Sequence, residues 1–185
     1  YDTNNKNHAE SIFEIQYKQG TEGFASSFFY TFLPQPITGD EITAITGIPE
    51  VSRTIEGYNI PTPDIMAAYE AGDIRKDASI GMLTASGQPC PYIKKYCHEH
   101  SQSYNTNDNW PVYRYAETLL FLAEACNEQN KTTEALKYLN QVRNRAGLAN
   151  STAQDQNAIR EAILQERRVE LAFENKRWLD LVRSN

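Results

Sequence analysis

Long hydrophobic runs are missing from this chain of 185 residues, in which 40% of residues are hydrophobic and 23% are charged. No apolar stretch reaches the roughly 18–20 residues that a helix needs to span a bilayer, and no signal peptide opens the chain. The sequence begins at Tyr1 without an initiator Met and ends at Asn185 within a helical pattern. We therefore expect a fragment of a larger protein, truncated at both ends.

Basic residues are also few, because 18 Lys and Arg face 24 Asp and Glu and leave a net charge of −6. Non-specific binding to nucleic acid requires a basic surface. We therefore expect no nucleic-acid partner. The hydrophobic and charged fractions are otherwise those of a globular chain with a packed core.

Cysteine and histidine are rare, with three of each. Cys126 lies on a helical stripe, which is typical of a buried thiol. Cys90 and Cys97 flank six residues that, when fully extended, hold the two thiols too far apart to bond, so a disulfide requires a bend. The segment Cys97–His100 resembles part of a zinc site, but such sites take four ligands and only Cys90 is near in sequence. We expect no metal and no cofactor.

The hydrophobic pattern divides the chain near residue 110. Residues 1–109 have weak periodicity, and we predict an irregular, loop-rich region with short strands and one helix. Strands are predicted over Ser11–Tyr17, Ala78–Thr84 and Tyr92–Tyr96. The helix is predicted to start at Thr62–Asp64, where a capping Thr precedes Pro and Asp, and to stop at Gly72.

Residues 110–185 are predicted to be helical, because from Val112 the apolar residues recur at intervals of three and four. Two helices joined by a short connection, with a stop at Gly147, indicate an antiparallel hairpin similar to a tetratricopeptide repeat. A third helix is predicted from about Asp155 to Phe173, followed by a left-handed break at Asn175 and a last helix. The predicted fold class is mainly α, with tetratricopeptide-type helix hairpins and an irregular loop-rich α+β portion.

Two glutamates interrupt the apolar stripe of the third predicted helix. Helical steps from Ile159 lead through Ile163 to Glu166 and Glu170. Two carboxylates in a dry site cannot both stay charged without compensation, and guanidinium groups satisfy them well. We therefore predict a structural ion-pair network around Glu166 and Glu170. The candidate arginines are Arg143, Arg167, Arg168 and Arg177.

Catalytic interpretations of the glutamate pair are disfavoured. A di-metal carboxylate bundle uses Glu-x-x-His pairs, but His8, His98 and His100 all lie outside these helices. A glycosidase places its two carboxyl groups roughly 5–10 Å apart in a cleft, which a packed helix hairpin does not offer. The sequence also contains no nucleophile elbow, Walker loop, dinucleotide turn or zincin pair. We therefore expect a protein without enzymatic activity.

Several segments along the chain have a distinctive wording and order. The most specific are Tyr113–Glu117, Leu139–Arg143, Glu166–Glu174 and Arg177–Arg183. Weaker ones are Glu10–Gln16, Asn59–Glu70, Gly72–Asp77 and Tyr92–Tyr96. Taken in this order, the segments resemble the C-terminal part of the SusD/RagB family of nutrient-binding outer-membrane lipoproteins. The chain departs from the family at Asn175, where the family commonly has Gly, although Asn tolerates the left-handed backbone.

The resemblance implies a SusD-like fold in a surface-exposed lipoprotein of the cell outer membrane. Such proteins capture oligosaccharides or other nutrients and cooperate with a SusC-like, TonB-dependent outer-membrane transporter. The only membrane attachment implied is a lipid anchor outside this chain. An alternative function is that of a tetratricopeptide-like protein–protein interaction module that binds no glycan.

Ligand sites in this family are aromatic arcs on variable loops, so the resemblance implies a site among the aromatic residues of the loop-rich region. The candidates are Phe24, Phe28, Phe29, Tyr30 and Tyr58. The alternative interpretation of these rings is packing in a core or an interface, because aromatic burial stabilises folded domains.

Overall fold

The computed structural model describes residues 4–34, 37, 39–49, 57–85 and 87–184. The chain divides into two compact units. Unit 1 comprises Tyr1–His8, Glu14–Thr62 and Asp77–Pro111, and unit 2 comprises Ala9–Phe13, Pro63–Lys76 and Val112–Asn185. The observed division differs from the predicted one near residue 110 in two segments. Ala9–Phe13 and Pro63–Lys76 belong to unit 2, together with Val112–Asn185.

The first part of the chain contains β1 (Ser11–Ile15), a 3₁₀ helix (Phe28–Phe32), α1 (Gly39–Thr46), α2 (Pro63–Ala68), α3 (Arg75–Ser79), β2 (Ile80–Ala85) and β3 (Gln88–Ile93). The second part contains β4 (Trp110–Arg114), α4 (Tyr115–Glu128), α5 (Thr132–Arg145), α6 (Gln156–Glu170) and α7 (Arg177–Arg183). The prediction of a mainly α fold is confirmed.

The first 109 residues contain more helix than predicted. The sequence predicted one helix there, whereas α1, α2, α3 and the 3₁₀ helix are all present. These helices are only five to eight residues long. Helices of about two turns or fewer do not repeat an apolar spacing often enough for the sequence pattern to be recognised.

The helical region starts later than predicted, because residues Trp110–Arg114 form β4. This strand pairs with β1 in a two-stranded sheet. The backbone N–H of Tyr115, at the start of α4, donates to the carbonyl of Glu10 over 2.8 Å. β4 is a strand because it pairs with a segment about a hundred residues away. The local spacing of apolar residues gives no sign of such a distant partner.

The second sheet is an antiparallel pair of β2 and β3, with Ile80 opposite Ile93 and Ala85 opposite Gln88. Its strands were predicted, although β3 starts and ends earlier than expected. Gly81 lies opposite Tyr92, whose ring occupies the space that a β-carbon would need. A larger residue at position 81 would displace this ring.

The helix ends of unit 2 follow from local chemistry. Asp155 caps α6 by accepting a hydrogen bond from the N–H of Ala158 over 2.9 Å. Gly147, after α5, has a φ of 81° and Asn175, before α7, has a φ of 59°. Both left-handed positions were predicted and are confirmed. They reverse the chain between successive helices.

The core of unit 2 lies among α4, α5 and α6. Its buried residues are Ala116, Leu119, Leu120, Ala123, Ala135, Leu139, Val142, Ile159 and Ile163. They recur at steps of three or four within each helix. In α5 and α6 they are positions that the sequence pattern predicts, whereas in α4 the pattern predicts Leu122 on the buried stripe and the structure instead buries Leu120 and leaves Leu122 42% exposed. The antiparallel hairpin of α4 and α5 therefore packs as a tetratricopeptide-type pair with α6 beside it.

Half of the residues in the buried core cluster of unit 1 are aromatic. Phe29, Tyr30, Leu33 and Ile42 are buried together, with Cys97 packed against them. All three cysteines are free thiols, so Cys90 and Cys97 form no disulfide. Within the part of the chain that the structure describes, no helix is long and apolar enough to cross a membrane.

Candidate functional site

Three alternating asparagines in unit 1 hold the loop that carries Phe24. The side-chain Oδ1 atoms of Asn105, Asn107 and Asn109 accept hydrogen bonds from backbone N–H groups of the loop. Their donors are Gly20 at 2.8 Å, Gln19 at 2.7 Å and Tyr17 at 2.9 Å, respectively. Residues two apart on an extended segment point to the same side, so this spacing forms an asparagine ladder along the loop.

Further bonds close the loop on itself. Asn105 also donates from Nδ2 to the carbonyl of Gly20 over 2.8 Å. The N–H of Lys18 donates to the carbonyl of Phe24 over 2.8 Å. Beyond the loop, Ser26 and Thr106 exchange two backbone hydrogen bonds of 3.1 and 2.9 Å. The loop is therefore anchored on both sides, while the Phe24 ring is 63% exposed.

Tyr58 is the other exposed ring among the predicted site residues, at 78%. Its neighbour Asn59 is held by a backbone hydrogen bond of 3.3 Å to the carbonyl of Thr31. Both Phe24 and Tyr58 therefore present ring faces to solvent from anchored segments of unit 1.

The remaining three aromatic candidates lie in the interior of unit 1. Phe29 is 0% exposed and Tyr30 is 2% exposed. Phe28 is half-buried and packs edge to face against Tyr96 and Trp110 at centroid distances of 5.4 and 5.2 Å. Rings that are enclosed in this way offer no face to a ligand. The sequence did not distinguish these three rings from Phe24, because all four lie within residues 24–30, where the hydrophobic residues show no clear period.

His98 and His100 of unit 1 form hydrogen bonds within the fold. His98 Nδ1 lies 2.7 Å from Oδ1 of buried Asp108. His100 directs Nδ1 to the carbonyl of His98 at 2.9 Å, and its Nε2 is hydrogen-bonded to the hydroxyl of Tyr30. Burial raises the pKa of Tyr30. Among the described residues, no group of three or more His, Cys, Asp or Glu side chains is placed to hold a metal ion.

The ion-pair network of unit 2 surrounds Glu166 and Glu170 on α6. Glu166 is held by Arg75 at 2.6 Å and by Arg143 at 3.2 Å. Glu170 is held by Arg75 at 2.9 Å and by Arg114 at 2.7 Å. Burial acts to lower the pKa of Arg75, but its bond to Asp73 and the charges of both glutamates raise it overall. The guanidinium groups therefore stay charged within the fold.

A second part of the network fixes the end of α6. Arg114 donates from Nε and Nη2 to the two carboxylate oxygens of Glu174, each over 2.8 Å. The same Nη2 donates to the backbone carbonyl of Glu170 over 2.7 Å. A fork of this kind orients both partners, which gives it more geometric specificity than a point charge.

The arginines predicted to pair with Glu166 and Glu170 do not all contact them. Arg143 contacts Glu166 as expected. Arg167 instead pairs with Asp180 at 2.9 Å and Glu117 at 3.4 Å, and Arg168 pairs with Asp64. Arg167 and Arg168 follow Glu166 by one and two positions, so on a helix they point about 100° and 200° away from it.

Arg177 is exposed at the start of α7, and no ion pair joins it to another described residue. Sequence reasoning missed Arg75, Arg114 and Arg145, which supply guanidinium groups to the two glutamates. Each lies at least 20 residues away from them. The only local signal was the charged turn at Asp73–Asp77, where Asp73 accepts from Arg75 over 2.8 Å.

Comparison with known proteins identifies the family. A family model described as the SusD family matches residues 55–185. SusD-like protein P2 of Formosa agariphila is 30% identical over 178 residues, covering 78% of this chain and 35% of the relative. The chain thus spans about a third of the length of that relative.

Two solved structures share the architecture. Surface glycan-binding protein A of Bacteroides uniformis is 27% identical, with a TM-score of 0.75 over 99% of this chain and 39% of that protein. The Bacteroides thetaiotaomicron protein of the same name, in complex with laminarihexaose, is 25% identical, with a TM-score of 0.67 over 95% of this chain and 42% of that protein. The predicted SusD-like fold is confirmed, and because the family model covers more than half of the sequence, the chain belongs to the SusD family.

Proposed function

We propose that this chain is the binding part of a cell-surface protein that captures oligosaccharides without cleaving them. In this proposal the protein is a lipoprotein of the outer membrane, anchored through a lipid outside this chain. It passes its ligand to a SusC-like, TonB-dependent transporter. Family membership and the likeness to a protein solved with laminarihexaose support the glycan as ligand.

The observation that carries the proposal is the anchored, exposed ring of Phe24. Binding sites combine apolar or aromatic surface with a few polar groups on a rigid frame. The asparagine ladder supplies the frame, because it holds the loop through three backbone N–H groups. Polar side chains in the same loop, including Lys18 and Glu22 in a 2.9 Å ion pair, are available for hydroxyl groups. A loop that is ordered before binding loses little entropy when the ligand arrives.

The state of the two glutamates supports binding rather than catalysis. Glu166 uses both carboxylate oxygens on guanidinium groups, Oε1 on Arg75 and Oε2 on Arg143. A general acid must release its proton to a reacting group within hydrogen-bond distance. Carboxylates enclosed by arginines serve the packing of α6 instead.

Calorimetric titration with laminarihexaose and a panel of other neutral oligosaccharides tests this proposal. The chain is expected to bind at least one of them, and Phe24→Ala or Tyr58→Ala is expected to weaken binding about tenfold, or about 1.4 kcal/mol. Tyr113→Ala removes a half-exposed ring of unit 2 and serves as the matched control with unchanged affinity. Absence of binding across the panel contradicts the glycan ligand. Equal affinity of the two unit 1 variants and the parent chain contradicts the site.

A protein-interaction module is the second candidate, favoured by the orientation of α7. Asp180 of this helix is buried and bound to Arg167, while its apolar side chains Trp178, Leu179 and Val182 are exposed. Exposed apolar patches of this kind mark interaction sites. In pull-down from outer membranes, Trp178→Ser is expected to lose a captured β-barrel partner while keeping any glycan affinity. If Trp178→Ser retains the partner, this face of α7 is not the interface.

A further inference from the structure

The loop that carries Phe24 closes on itself over residues 18–24. Its ends meet where the N–H of Lys18 donates to the carbonyl of Phe24 over 2.8 Å. Gly23, with a φ of 81°, turns the chain immediately before the aromatic residue. A β-carbon built at Gly20 or at Gly23 would meet no described atom within 4 Å. The surface of the loop is therefore open to a ligand on the side of its glycines.

The same loop carries one positive and one negative group. Within residues 17–26, Lys18 is the only cation and Glu22 is the only carboxylate. Lys18 Nζ lies 2.9 Å from Oε2 of Glu22, and the two side chains are 68% and 58% exposed. An ion pair with this exposure is weak. Both groups can therefore also bind a ligand that reaches the loop.

A neutral sugar can bind both members of this pair without separating them. Hydroxyl groups on adjacent ring carbons are spaced much like the nitrogen and the oxygen of the ion pair. One hydroxyl oxygen accepts a hydrogen bond from Lys18, while the other hydroxyl group donates to Glu22. Hydrogen bonds to charged groups contribute more than those between neutral groups. The two opposite charges stay compensated while the sugar is bound.

An acidic sugar has to separate the pair. When its carboxylate binds Lys18, the carboxylate of Glu22 loses its cation and lies beside a second negative charge. Two like charges about 4 Å apart in water repel each other enough to weaken binding about fivefold. Glu22 therefore acts against a ligand that carries a carboxylate.

A second cation near the loop is also engaged. Lys6 donates from Nζ to the carbonyl of Tyr17 over 2.7 Å. Burial lowers the pKa of Lys6, and the nearby charges of Asp108 and Glu14 counteract that shift. Neither Lys6 nor Lys18 thus offers an anion a positive charge without a carboxylate close to it.

We propose that the loop of residues 18–24 selects neutral glycans and that Glu22 is the residue that excludes acidic ones. Lys18 and Glu22 bind adjacent hydroxyl groups of a sugar whose C–H groups contact the ring of Phe24. This selectivity rests on the proposed function, because it concerns the same loop and the same oligosaccharides.

Calorimetric titrations with matched neutral and acidic probes test this selectivity at low salt. The probes are laminarihexaose, cellohexaose and mannohexaose, each beside its form with the C6 hydroxyl groups oxidised to carboxylates. The parent chain is expected to bind at least one neutral probe about fivefold more tightly than its oxidised form. Glu22→Gln is expected to bind that oxidised form about fivefold more tightly than the parent chain does. Its affinity for the neutral probe is expected to stay nearly unchanged, because the amide keeps an oxygen acceptor.

Two controls separate a local effect from a general one. Glu161→Gln removes the same charge from an exposed position of α6 and is expected to keep the parental preference. At 1 M salt, where the Debye length is about 3 Å, the gain in Glu22→Gln is expected to disappear. A gain that persists at this salt, or no gain for the oxidised probe at low salt, overturns the role of Glu22.

The outcomes distinguish this selectivity from the proposed function. A parent chain that binds oxidised and neutral probes equally well contradicts the selectivity and leaves glycan capture in place. A parent chain that binds only oxidised probes has the same meaning. No binding of any probe contradicts glycan capture itself, and the selectivity fails with it.

Discussion

Arg75 Nη1 lies 2.6 Å from Oε1 of Glu166, although the two residues are 91 positions apart in the sequence. Their side chains are 12% and 2% exposed. The same guanidinium group also binds Asp73 and Glu170, so it joins the turn before α3 to the inner face of α6. Removing one member of such a group leaves the others buried without compensation.

Glu166→Ala is accordingly expected to destabilise the chain by about 3–5 kcal/mol, which is enough to unfold a marginal domain. Urea unfolding followed by circular dichroism measures the loss. Glu161→Ala changes an exposed glutamate of the same helix and is expected to stay within about 0.5 kcal/mol of the parent chain. A folded Glu166→Ala chain with parental stability would falsify the structural role of the pair.

Glu70 makes the folding stability of unit 2 depend on pH. Its hydrogen bond to Arg143 lowers the pKa of Glu70, so the folded state holds its proton less tightly than the unfolded chain does. The pair therefore contributes stability above the unfolded pKa of about 4.5 and loses it as pH falls through the lower, folded pKa. The side chain is half exposed, so less than about 1 kcal/mol is involved.

Unfolding free energies at pH 6 and pH 3.5 measure this effect. Glu70→Gln is expected to reduce the difference between the two pH values, because the variant has no carboxyl group to titrate at this position. Glu134→Gln, at an exposed position of α5, is the control and is expected to keep the parental difference. Identical pH dependence in Glu70→Gln and the parent chain would contradict the pairing with Arg143.

Leu120 is fully enclosed in the core of α4, α5 and α6. Leu120→Ala is expected to cost about 2–5 kcal/mol, because the change removes buried surface and leaves a cavity. Leu122→Ala, two positions along the same helix and 42% exposed, is expected to cost less than about 1 kcal/mol. Urea midpoints distinguish the two. Equal costs would show that α4 does not present Leu120 to the core.

Asn105 makes two hydrogen bonds to Gly20, one as acceptor and one as donor. Asn105→Ala removes both, each of which contributes about 1 kcal/mol. Hydrogen exchange of residues 17–24 is expected to accelerate while the amides of α4 to α6 keep their protection. Asn150→Ala, in an exposed position after α5, is the control. Unchanged exchange in the loop would show that the ladder does not order it.

Cys97 donates from Sγ to the carbonyl of Ile93 over 3.0 Å, and burial raises the pKa of its thiol. The thiolate is the reactive form. Reaction with a disulfide reagent at pH 8 is therefore expected to show a slow phase that disappears in Cys97→Ser. Three thiols are expected to react after denaturation without reductant. A titre of one would indicate a disulfide and would contradict the three free thiols.

The sequence determined the helical half of this protein because its signals are local. Apolar residues at steps of three and four set the faces of α4, α5 and α6. Asp155, Gly147 and Asn175 mark helix boundaries through bonds and backbone angles within a few residues of themselves. The ordered segments that resemble the SusD family are equally readable from the chain alone, and they identified the family.

Tertiary structure decided the rest, because the deciding contacts join distant positions. Pairing with β1 makes Trp110–Arg114 a strand, and Arg75 reaches Glu166 across 91 positions. The ladder of Asn105, Asn107 and Asn109 fixes a loop more than 80 residues earlier and leaves Phe24 exposed, while Phe29 and Tyr30 are enclosed in the core. Composition placed these rings in one candidate set, and only three-dimensional packing separates a ring that supports the core from one that is available to a ligand.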